Sequence, residues 1–186
     1  MATAMGGIFD VEQYSKTGPH CLPKSLSEVS TAFEVKLPDI QTMPNNYKLE
    51  GIDNVGDWLA LYYTDKTLCP FSGSMTDKIN EGAVVITASQ PEGIVSGLEF
   101  QKTALNPGIE NSKSVIVPVD VNGNKGVGWE PFTGVDETKL NGEIIESSPL
   151  QMPGMVRFYD ESDGTVYNIM GFQSMDELLS IAKSIR

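Results

Sequence analysis

With 186 residues, 40% of them hydrophobic and 20% charged, the chain has enough apolar material for one sizeable core, and its composition excludes a disordered polymer. Lys and Arg number 13 against 25 for Asp and Glu, a formal net charge of -12, so a phosphodiester backbone or an anionic lipid surface is repelled at long range and nucleic acid is not expected as a partner. No stretch reaches the ~18 apolar residues of a membrane span, and the single histidine leaves acid–base catalysis few players.

Residues 1–24 hold Gly6-Gly7, Gly18-Pro19 and Pro23 without sustained periodicity and read as an irregular arm; residues 25–186 read as a single domain. Met1 to Gly7 lacks the basic and apolar regions of a secretory leader and fits an expression remnant, which is compatible with a leader or membrane anchor outside the given chain. Cys21 and Cys69 belong to no C-x-x-C pair. Either they form a disulfide, closing a loop of 49 residues worth about 4 kcal/mol in an oxidising compartment, or they remain two partly buried thiols. His20 beside Cys21 suggests an activated nucleophile, but neighbours in extended chain point to opposite sides and no acid is placed to orient the ring.

Order begins at Ser25, whose S-x-x-E spacing to Glu28 is a capping box for a short helix over residues 26–33, stopped before Pro38. Tyr47 and Leu49 alternate with Lys48 and Glu50 in a half-exposed strand, and Gly56-Asp57 turns it into a hairpin with the aromatic and aliphatic run over residues 58–64. A polar loop over residues 65–82 precedes the β-branched run 83–88. Residues 91–108 fit neither period and read as loop with at most a short strand. Residues 114–121 read as a strand, placed at an edge or bulge because Pro118 lacks an amide donor. Asn122-Gly123 supplies a tight hairpin turn into a return strand over residues 126–130. Residues 131–153 read as a long polar, acidic excursion. Residues 156–159 and 165–170 form a closing hairpin. After it, Ser174 and Glu177 make a second capping box, Leu178, Ile181, Ala182 and Ile185 form one apolar stripe, and Lys183 and Arg186 sit at the cation-favouring end.

The fold class that follows is α+β: a curved antiparallel sheet of about six or seven strands covered on one face by the C-terminal helix and the short N-terminal helix. Candidate sites are few. Asp120, Asn122 and Asn124 resemble the start of a calcium loop, but Lys125 and Pro131 stand where glycine and glutamate are required, so a hairpin turn is the better reading; the same holds for Asp160 to Gly164. No metal, cofactor or catalytic set is expected. Trp129 and Phe132, bracketed by Gly126, Gly128 and Gly134, read either as exposed anchors of a ligand-binding loop or, for Trp129, as a plug of the core from an edge strand. The acids between Glu130 and Glu146 read as a solvated loop or a weak calcium site.

Taken in order, the capped short helix, residues 35–38, Met43 to Gly51, residues 59–64 and 83–90, Val119 to Gly123, and Asp163 to Gly171 with residues 178–184 resemble the domain-of-unknown-function family 4367 from about residue 25 to the end. The loop holding Cys69 and the acidic stretch after Trp129 depart from that pattern. The resemblance implies a non-enzymatic extracytoplasmic sensing or binding module, secreted or cell-surface anchored in a prokaryote, with a protein or small molecule as ligand and no catalytic residue to transfer. The alternative from a different class is a small thiol-dependent hydrolase or redox enzyme using Cys21 or Cys69.

Overall fold

The computed structural model of the protein describes residues 20–21, 39–44, 46–55, 58–68, 73–91, 93–94, 96–105, 115–140 and 143–186. The rest of the N-terminal arm, the helix expected over residues 26–33, and Cys69 lie outside the described residues.

The β-branched and aromatic runs form strands: β1 (His20–Cys21), β2 (Lys48–Val55), β3 (Trp58–Thr64), β4 (Val84–Ser89), β5 (Val117–Val121), β6 (Asn124–Trp129), β7 (Phe132–Leu140), β8 (Glu143–Met152), β9 (Gly154–Asp160) and β10 (Thr165–Gly171). The helices are α1 (Met75–Asn80), α2 (Gly97–Ala104) and α3 (Met175–Lys183). Among the described residues, eight strands pair in the order β1-β2-β3-β4-β10-β9-β6-β5, every neighbour antiparallel, while β7 and β8 pair only with each other. The α+β class read from the sequence is the class found. β5 lies at the sheet end, where the missing amide of Pro118 costs no ladder bond.

Alternation along the strands divides the core in two. One face presents Ile52, Leu61, Ile86, Ile169, Val156, Phe158 and Val121 to the apolar stripe of α3, where Leu178, Ile181 and Ala182 are buried. Burying each of the larger side chains contributes about 1.5–3 kcal/mol. The Phe158 and Tyr167 rings stack at 5.3 Å between centroids. Ser174 accepts from the Glu177 amide and the Glu177 carboxylate accepts from the Ser174 amide and hydroxyl, so the expected capping box is present, and Ile185 bridges back to Ile40.

The opposite face carries two helices in regions read from the sequence as loops. Ile79 of α1 packs with Ala60, Tyr62 and Val85, and Phe100 of α2 packs with Tyr159 and Val166. Both helices are too short to show an apolar period, yet both begin on a serine cap: Ser74 accepts from the Asp77 amide and Ser96 from the Glu99 amide. Asn122 (φ 54) and Gly123 (φ 96) make the expected left-handed two-residue turn. Asp120 accepts from the Gly123 amide and pairs with Lys125 at 2.7 Å. The apparent start of a calcium loop therefore serves the hairpin.

Candidate functional site

The polar excursion of residues 131–153 is a long β-ribbon. Within the main sheet β6 and β9 pair Gly128 with Val156 and Trp129 with Met155; beyond a short break, β7 and β8 pair Phe132 with Met152 and Thr133 with Gln151. The register is continuous across the break, so β7–β8 is the β6–β9 pair continued past the sheet. Pro131 and Pro153 sit in the break, where neither can donate to a ladder. The flanking strands stop at the same level: β10 last pairs with β9 at Gly171 and Gly154, and β5 meets β6 no further than Val117 and Gly128. Beyond that point both outer edges of the ribbon are unpaired among the described residues.

The root of this arm is tightly fixed. Trp129 is half-buried and its ring N–H donates to the Pro153 carbonyl at 3.1 Å. Gly154 is buried so closely that a Cβ there would lie 2.8 Å from Pro131 Cδ and 3.0 Å from the Trp129 carbonyl oxygen. Glu130 Oε2 accepts from the Met175 amide at 2.8 Å, satisfying one of the free N–H groups that open α3. Phe132 is half-buried opposite Met152, and a Cβ on Gly134 would touch both, at 3.7 and 3.4 Å. Trp129 and Phe132 thus flank the break, Trp129 opposite Met155 on the sheet side and Phe132 opposite Met152 on the arm side. β6 is not an edge strand, because β5 pairs along its outer side. Trp129 fastens the two crossings of the break to each other.

Outward from the root the surface changes character. Val135, Ile144, Ile145 and Leu150 are 51%, 54%, 59% and 40% exposed, four of the seven large apolar side chains exposed to this degree among the described residues. Thr133 and Gln151 bond across the strands at 3.1 Å. A register shift between Thr138 and Lys139 leaves Ile145 as the extra residue of a bulge. In sequence the arm holds Asp136, Glu137, Glu143 and Glu146 against Lys139. On one side Leu150 and Gln151 line an open cleft of about 450 Å³ with Asn80, at the end of α1, and Phe172. Unpaired backbone edges beside exposed aliphatic side chains can accept an added strand or an apolar surface; carboxylates and a bulge are the devices that keep such an edge from pairing with copies of itself.

The other sequence candidates lie elsewhere. His20 and Cys21 form β1 and pair with Ile52 and Gly51. No disulfide is present among the described residues, which do not include Cys69. Among the described residues no group of three or more His, Cys, Asp or Glu side chains is arranged to hold a metal ion, and no helix is long and apolar enough to cross a membrane. Reading the sequence missed the arm as a structural element, although Asn141-Gly142 repeats the turn dipeptide of Asn122-Gly123. Comparison with family models, with curated proteins and with solved structures found no match.

Proposed function

We propose that the chain is a non-enzymatic binding module that works outside the cytoplasm and engages a protein partner through the β7–β8 arm. The observation that carries this reading is the set Val135, Ile144, Ile145 and Leu150, left exposed on a ribbon that pairs with nothing in the main sheet. Apolar side chains on such an arm stabilise no core, and an exposed two-stranded edge is an aggregation hazard unless it has a use. The net charge of -12 opposes close packing of identical copies and favours a partner with basic groups around an apolar contact. The resemblance to domain family 4367 supports the extracytoplasmic compartment and the non-enzymatic class.

The test is site-specific cross-linking. A photoreactive side chain replaces Ile145 in the natural full-length protein, and a second variant carries it at Lys102, exposed on α2. Irradiation of intact cells should give a discrete adduct from position 145 and none from position 102. Equal labelling from the two positions, or no adduct from 145, contradicts the proposal, and confinement of the full-length protein to the cytosol contradicts its compartment.

A further inference from the structure

Among the described cations, Arg157 is held in an unusual setting. It lies on β9, in the interior of the sheet, on the face that carries α1 and α2. Its guanidinium carbon stands 5.2 Å from the centroid of the Phe100 ring. Its Nε is buried and meets no hydrogen-bond acceptor, and among the described residues no carboxylate forms an ion pair with it. A buried guanidinium N–H left without an acceptor carries a desolvation cost that an anionic ligand group can relieve. Burial also lowers the pKa of the group, with no neighbouring acid acting to restore it.

The surroundings form a strip. Arg157 pairs across the ladder with Asn168, whose side-chain amide donates to Thr87 Oγ1 at 2.7 Å and retains a second N–H. In the next row Met155 pairs with Met170. Arg157, Asn168, Met155 and Met170 are all half-buried, with α2 to one side over β6 and β9 and α1 to the other over β4. The strip therefore offers a desolvated guanidinium oriented by an aromatic ring, an amide donor fixed by Thr87, and two adaptable thioether side chains.

We infer that this strip binds a small ligand that carries one carboxylate and an apolar body. Arg157 and Asn168 receive the carboxylate, and Met155 and Met170 receive the apolar part. A monoanion suits the site better than a polyanion, because one guanidinium provides the attraction while the acidic protein as a whole repels additional charge. The strip adjoins the arm root, because Met155 also pairs with Trp129 and Met170 packs beside Phe172, but its ligand is of a different class from the protein partner of the arm.

The test uses benzoate, with benzyl alcohol and inorganic phosphate as comparators, followed by the Nε–H signal of Arg157 in nitrogen-labelled protein. Benzoate should shift that signal saturably, and neither comparator should match it. Arg157→Gln should weaken benzoate binding about tenfold or more, as loss of a charge-assisted hydrogen bond predicts, and Asn168→Ala, which keeps the cation, should weaken it by a smaller factor. The comparators act on the unaltered protein, so the test stands even where a variant misfolds. An equal shift with benzyl alcohol or phosphate, no saturable shift with benzoate, or undiminished binding in a folded Arg157→Gln variant overturns the inference.

Discussion

One ribbon in this molecule has two lives. Between Gly126 and Trp129 it runs as β6–β9, flanked by β5 and β10 and covered by helices on both faces, and Val127, Val156 and Phe158 are almost completely buried. Past Pro131 and Pro153 the same pairing in the same register runs as β7–β8 without neighbouring strands among the described residues, and Val135, Ile144 and Ile145 are more than half exposed. Strand pairing alone does not make a core. What differs is whether the flanking strands continue, and they stop where the prolines stand.

The difference can be attacked from its strongest side first. Phe158→Ala removes a ring that is 2% exposed and stacked on Tyr167, and should cost about 3–5 kcal/mol in a denaturant titration; a loss below about 1 kcal/mol would mean that the inner half of the ribbon is not core. Gly154→Ala forces a Cβ against Pro131 and the Trp129 carbonyl, and should cost about 1–3 kcal/mol in the same titration. An unchanged midpoint would show that the root is loose. Ser174→Ala removes the cap of α3, which stiffens the inner ribbon from one face, at about 1 kcal/mol.

The cap has a pH signature. Hydrogen bonds from the Ser174 hydroxyl and amide hold the Glu177 carboxyl below its usual value. Its folded pKa is thus lower than its unfolded one, so its contribution is fully present above the unfolded value of about 4.3 and is lost as pH falls through the folded value. Thermal melts between pH 7 and pH 3 should show a shallower acid decline in Glu177→Gln than in the unaltered protein, and parallel declines would contradict the assignment. Smallest of all should be Ile145→Ser on the arm, which ought to change stability by less than about 0.5 kcal/mol. A large effect there would tie the arm to the core.

The same two halves explain what could be read from the sequence. The inner ribbon and α3 announce themselves, because β-branched runs, Asn122-Gly123 and the stripe of Leu178, Ile181 and Ala182 obey local rules that the core then reinforces. The arm has the turn dipeptide Asn141-Gly142 and partial alternation, but carboxylates occupy positions that apolar residues would fill in a buried strand, so its pattern reads as loop. α1 and α2 span fewer turns than periodicity needs, and only Ser74 and Ser96 betray them. Trp129 was legible as a candidate anchor but not as the fastening of an arm root, since that role depends on Pro153 and Gly154 arriving from the far end of the hairpin. Arg157 was invisible as a candidate: a strand arginine looks like any other until the fold shows that no described carboxylate pairs with it.

If the arm is carried by the fold for contact alone, its removal leaves the stability of the core unchanged. Replacing residues 133–151 with Asn-Gly joins Phe132 to Met152 across a two-residue turn in the register they already share. Cooperative thermal unfolding is expected, with a midpoint within about 4 °C of the intact chain, equivalent to roughly 1 kcal/mol. A non-cooperative melt, or a fall of more than about 10 °C, would show that the arm belongs to the core and would contradict the claim.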